Sequence, residues 1–164
     1  NIDRKLKSIA ESVKGVVVAN VDSQSPRGEG TTDIIVTSQS GSANAQLLQA
    51  VREVIDQTRG SYGDYLVKSS IPVPIDFDVV LYVARNVSTD GYEETASAAI
   101  REIMDITTRE ELNRFYRDEI RTVLSEKIDK YRTCDIISPS ENLVVGTERV
   151  FVTGKIRVTV KNIE

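Results

Sequence analysis

The chain has 164 residues, room for one domain or two small ones, and chains of this size bury roughly 70% of the surface they expose unfolded. Its apolar fraction of 40% and charged fraction of 28% are ordinary for a globular protein, and a formal net charge of -4 argues against a general nucleic-acid binder. Histidine is absent, which removes the commonest general base and every Ser–His or Cys–His nucleophile pair; one cysteine, Cys134, excludes an internal disulfide and a thiolate zinc centre. No run approaches the roughly 20 apolar residues of a membrane-spanning helix. The chain opens on Asn1 rather than Met, as expected of a processed product or a piece of something longer.

Ile2, Leu6, Ile9, Ala10 and Val13 recur at helical spacing, with Lys14 and Gly15 as a stop. The β-branched run from Gly15 to Asp22 predicts a strand, Ser23 to Gly30 a turn, and Thr31 to Thr37 a second strand, together an antiparallel hairpin with a long polar tip. Ser42 is the expected N-cap of an amphipathic helix marked by Leu47, Leu48, Val51, Val54 and Ile55 and stopped at Gly60, with Gly60 to Gly63 as a turn. Tyr65 to Ser69 reads as a short strand. Pro72 and Pro74 suit an edge or a crossover, and from Val73 the alternation is clean: Val73, Ile75, Phe77, Val79, Leu81 and Val83 point one way, Asp76, Asp78, Val80 and Tyr82 the other.

After a loop from Asn86 to Gly91, Asp90 is the expected cap of a helix with the stripe Tyr92, Ala96, Ala99, Ile100 and Ile103. Thr108-Arg109-Glu110-Glu111 is a capping box, which predicts a second helix from Thr108 to Arg132 with the stripe Leu112, Tyr116, Ile120, Val123, Leu124 and Ile128. Glu110–Arg114 and Glu126–Lys130 would pair along it, each worth about 0.2–0.5 kcal/mol. Short strands are expected at Cys134 to Ile137, Leu143 to Val145 and Glu148 to Thr153, then an alternating strand from Lys155 to Ile163. The order predicts an α+β fold with mainly antiparallel sheets and helices on one face, divided at the prolines into a first module, 1–70 (helix, hairpin, helix, strand), and a second, 71–164 (strand, two helices, strands).

Residues that could carry chemistry are few. Asp76 and Asp78 share a strand face and could begin a divalent-cation site, but two carboxylates make no cage, and a charged outer face is the simpler reading. Arg27-Gly28-Glu29-Gly30 looks like a phosphate loop only until the following strand is noticed; such loops open a helix. Cys134 beside Asp135, with no histidine, is a structural residue rather than a nucleophile. Neither a cofactor nor a metal is expected.

A pattern along the whole chain is more specific than any of these. Gly15-Val16-Val17-Val18-Ala19-Asn20-Val21, Pro26-Arg27-Gly28-Glu29-Gly30 and Thr31-Thr32-Asp33-Ile34-Ile35-Val36, then the helix at Leu47-Leu48-Gln49-Ala50-Val51, come in a fixed order. Lys68 to Phe77 with its two prolines, Asp135-Ile136-Ile137-Ser138-Pro139 and Thr153-Gly154-Lys155-Ile156-Arg157-Val158-Thr159-Val160 follow. This succession, over roughly residues 13–162, resembles the baseplate J family of contractile phage tails and related injection particles.

The resemblance implies the carboxyl-terminal part of a baseplate wedge subunit: not an enzyme, but a structural component that binds other wedge and hub proteins, and copies of itself in a ring, and transmits the rearrangement that triggers sheath contraction. It implies no small-molecule substrate, no nucleic acid, no membrane insertion, and a place in the virion tail baseplate after assembly in the bacterial host cytoplasm. The competing readings are a secreted or surface-attached α+β binding module and a carboxylate-dependent metal enzyme at Asp76 and Asp78. As assembly surface the sequence offers the hairpin tip, with Arg27 and Glu29, and the charged face of the second-module helix, with Arg117 and Arg121.

Overall fold

Apolar stripes and β-branched runs become four helices and eight strands in the computed structural model, which describes residues 2–59 and 63–164. The fold is α+β, and the chain divides into two compact units, Asn1–Pro72 with Gly146–Val150, and Val73–Val145 with Phe151–Glu164.

In the first unit α1 (Ile2–Glu11) leads to the hairpin β1 (Val18–Asp22) and β2 (Thr31–Thr37), paired antiparallel from Val18 opposite Thr37 to Asp22 opposite Asp33. α2 (Ala45–Arg59) then returns the chain so that β3 (Asp64–Ser69) lies parallel to β2, giving the sheet order β1-β2-β3. This sheet is mixed, with one parallel pair, while β1–β2 here and the pairs described below are antiparallel as predicted; a helical crossover is what a parallel neighbour requires, and α2 supplies it. Leu6 and Ala10 of α1 and Val51 and Ile55 of α2 pack on Ala19, Ile34, Val36 and Val67. α2 is capped by Asn44, whose Oδ1 accepts the Leu47 N–H (2.8 Å), two residues beyond the expected Ser42. The expected stop at Gly60 and most of the turn after it, Gly60 to Tyr62, lie outside the described residues.

Helix side chains close both edges of this sheet. On β1 the Lys7–Glu11 ion pair holds Ala19 from both sides: Nζ donates to its carbonyl (2.6 Å) and Glu11 Oε2 accepts its N–H (3.0 Å). On β3 Arg52 Nη2 donates to the Val67 carbonyl (3.2 Å).

The second unit is built on β4 (Ile71–Val83), the middle strand of the order β6-β4-β8, with β6 at Tyr131–Ser138 and β8 at Arg149–Asn162. Ile75, Phe77, Val79, Leu81 and Val83 are buried, as the alternation predicts. β4 is the middle strand, but pairing with β6 begins only at Asp78, so the stretch with Pro72 and Pro74 keeps an open side and is locally an edge. α3 (Tyr92–Ile103) and α4 (Asp118–Lys127) supply Ala96, Ala99, Ile100, Ile120, Val123 and Leu124 to the same core. α3 starts from Gly91 in the left-handed region, with no side-chain cap from Asp90.

The expected helix from Thr108 to Arg132 exists only as α4. Asp105 accepts bonds from the Thr107 hydroxyl (2.7 Å) and then its N–H (2.9 Å), which hold its carboxyl below the ordinary carboxylate value and turn the chain out of helical geometry. The strand β5 (Arg114–Phe115) then pairs with β7 (Leu143–Val144) and puts Phe115 in the core, edge-on to Phe77 with ring centroids 5.5 Å apart. Arg114 consequently pairs with Glu111 (3.2 Å) rather than Glu110, and Lys130 falls after the end of α4, in a turn.

β8 is one strand where a break was expected. At Gly154 it presses against β4: an added Cβ would run into Asp76 Oδ1 and lie 2.7 Å from the Ile75 carbonyl, while the Lys155 N–H donates to Asp76 Oδ1 (2.9 Å). Gly154→Ala is expected to destabilise the second unit by about 1–3 kcal/mol, the range for overpacking, read as a lowered urea midpoint at unchanged slope; a midpoint equal to wild type would show that the close approach imposes nothing.

Candidate functional site

Two of the residues singled out in the sequence sit at the hairpin tip. Gly28 and Gly30 adopt φ of +120° and +80°, so the chain can turn tightly, and Thr31 Oγ1 bridges the Arg27 N–H (3.0 Å) and the Gly28 carbonyl (2.7 Å). Arg27 folds back over the sheet instead of projecting. Its Nε donates to Asp33 Oδ1 (2.6 Å), and its Nη atoms reach Asp64 Oδ1, Asp64 O and Thr32 O at 3.3–3.4 Å. Glu29 is left exposed at the apex.

Asp33, in the central strand, is 1% exposed and also pairs with Lys68 Nζ (3.1 Å). Burial pulls its carboxyl upward, but the hydrogen bonds and charges of Arg27 and Lys68 outweigh that and hold it below the ordinary value. The Asp33 bond in turn raises Arg27 above its own. In the sequence Asp33 stands out only as part of the Thr31 to Val36 motif. Alternation along β2 already puts it on a face with Ile35, and a carboxylate there needs a cation, which Arg27 supplies from six residues away.

Arg117 and Arg121 fare differently from one another. Arg117 begins α4 and is spent inside its unit: Nε donates to the Pro139 carbonyl (2.9 Å), Nη2 to the Ile136 carbonyl (2.7 Å), and its N–H to Asn142 Oδ1 (2.8 Å). It thereby clamps the turn after β6, which contains the cis Ser138–Pro139 bond. Arg121 is half-exposed and makes one ion pair, with Asp118 (3.1 Å). The tip residues belong to the first unit and these two to the second.

A residue that sequence placed merely in a capping box, Arg109, is 7% exposed. Its guanidinium holds Glu119 (2.8 and 3.3 Å), the Ile103 and Arg114 carbonyls (2.8 Å each), and stacks 5.3 Å above the Phe115 ring. Asp76 is exposed and occupied with Lys155; Asp78 is half-buried. Among the described residues, no group of three or more His, Cys, Asp or Glu is placed to hold a metal ion. Cys134 is buried, with Tyr131 donating to its sulfur (3.5 Å); burial, then this bond, push the Tyr131 phenol up. Among the described residues no helix is long and apolar enough to cross a membrane.

No protein-family model matches the chain, and no curated protein matches it in sequence. Among solved structures it resembles a chain of the anti-feeding prophage baseplate, determined by cryo-EM with six-fold symmetry, at a TM-score of 0.59 and 12% identity. The match covers 91% of this chain and 36% of that one. At that identity the likeness is one of fold.

Asp33→Asn is expected to lower stability at neutral pH by about 1.5–3 kcal/mol, the worth of hydrogen bonds to a charged group. Because the folded carboxyl titrates below its unfolded value of about 3.9, this contribution is present above that value and is lost as pH falls through the folded one. Urea melts of wild type and variant should therefore converge in acid; a gap independent of pH would rule out the carboxylate as its source.

Proposed function

We propose that this chain is the carboxyl-terminal part of a J-like wedge subunit of a contractile phage-tail or phage-like baseplate. One observation carries the reading: nearly the whole chain, 91%, superimposes on part of a prophage baseplate chain. The ordered motifs from Gly15 to Val160 support it independently. The role is structural rather than enzymatic, with other wedge and hub proteins, and further copies in a ring, as partners. Its place is the tail baseplate, assembled in the host cytoplasm, where it passes on the rearrangement that releases the sheath.

On this reading residues 1–70 and 71–164 act as separate modules. Each module offers its own contact residue, Glu29, displayed by the Arg27 latch, in the first and Arg121 on α4 in the second. Arg117 serves the latter indirectly, by holding the start of α4 against the turn after β6.

The test is removal of the codons for this chain from the particle gene cluster that carries them, followed by negative-stain electron microscopy of the particles. Particles lacking a complete baseplate, or with sheaths that fail to contract on triggering, are expected. Intact, contracting particles at wild-type yield would sink the assignment.

A further inference from the structure

The departure of residues 105–116 from a helical path leaves a cleft of about 720 Å³ beside α3 and α4. Its rim carries six carboxylates, Glu102, Asp105, Glu110, Glu111, Glu119 and Glu126, against three cations, Arg109, Arg114 and Lys127. Every one of those cations is already matched: Arg109 with Glu119 (2.8 Å), Arg114 with Glu111 (3.2 Å) and Lys127 with Glu102 (4.0 Å). Asp105, Glu110 and Glu126 are left without a cation among the described residues. Ile103, Val123 and Tyr116 line the same cleft, the last 42% exposed. The wall also holds an unfinished hydrogen bond: Arg109 Nε is buried without an acceptor among the described residues.

A lining that combines surplus carboxylates with an exposed aromatic and aliphatic side chains narrows what can fill the cleft. A single metal ion does not fit, because the surplus carboxylates are dispersed rather than gathered into a cage. Nucleic acid and anionic lipid surfaces are repelled by the rim. A second copy of the chain, itself at -4, offers no general charge complement. A segment with lysines or arginines along one side and leucine-like residues along the other satisfies both features, with Tyr116 as the kind of exposed aromatic on which binding energy concentrates.

We propose that this cleft docks a basic amphipathic segment of a partner protein. The inference stands on the cleft alone and does not depend on the baseplate reading. The experiment titrates the chain into a short fluorescent Lys/Leu amphipathic peptide, followed by anisotropy, with a Glu/Leu peptide of the same pattern as control.

The Lys/Leu peptide should bind and the Glu/Leu peptide should not, with affinity falling as salt rises. E110K/E126K should weaken binding by about tenfold or more, as should Y116A, since rim charge and an aromatic anchor both contribute. E53K/D56K on α2 alters net charge by the same amount and should change affinity by less than about threefold. Glu110 and Glu126 are exposed, so the reversal should fold; if it does not, E110Q/E126Q replaces it. Absence of binding, equal binding of both peptides, or equal weakening by the α2 reversal would overturn the proposal. None of these results bears on whether the chain belongs to a baseplate.

Discussion

A three-stranded sheet has one interior strand and two edges, so most of its strands present backbone groups that the sheet itself cannot satisfy. Both larger sheets of this protein are of that kind, and much of the remaining architecture answers the constraint. α1 gives Lys7 and Glu11 to Ala19 on β1; α2 gives Arg52 to Val67 on β3. In the second unit Arg117, at the start of α4, takes the Ile136 carbonyl of β6, and the Leu112 carbonyl accepts the Phe151 N–H of β8. α1 and α2 thus do two jobs with two faces. Their apolar stripes build the core, while long charged side chains from their flanks reach around to the strand edges. Each edge group engaged in this way is closed to stray pairing with another chain, which matters for a protein with so many short strands.

Buried charge is handled by the same economy. Asp33 lies where a carboxylate is tolerable only if cations reach it, and the two that do come from different directions, Arg27 from the tip and Lys68 from the parallel neighbour β3. Arg109 in the second unit is the converse, a cation within the 105–116 segment held by Glu119, two carbonyls and the Phe115 ring. In each unit one enclosed charge ties an irregular segment to regular structure, so these segments are fixed by polar geometry rather than by apolar packing alone.

Where the sequence was legible, a period decided the matter. Alternation from Ile75 to Val83 and the hairpin from Val18 to Thr37 follow directly from which residues repeat. The 105–117 stretch was illegible because its local signals point the wrong way. Thr108 to Glu111 has the form of a capping box, yet the Asp105 turn upstream and the burial of Phe115 against Phe77 favour leaving the helix, and the second of these is a contact between residues far apart in the chain. The parallel placement of β3 was hidden for a similar reason: strand patterns record which faces are buried, not which neighbour is paired. For the candidate site, sequence picked out the tip and the arginines of α4, but not that Arg27 and Arg117 are engaged within their own units, since an arginine's partner is rarely visible in its neighbours.

The latch between Arg27 and Asp33 has a consequence for how the tip can meet anything else. Fixing the backbone of a free loop takes about 1–2 kcal/mol per residue, and a loop that orders only on contact sets this against every association. Here the turn is already held by Thr31, Arg27 and the glycine conformations before any contact is made. Glu29 is therefore presented on a stiff mount. Any group that met the tip would meet a shape with little entropy left to lose.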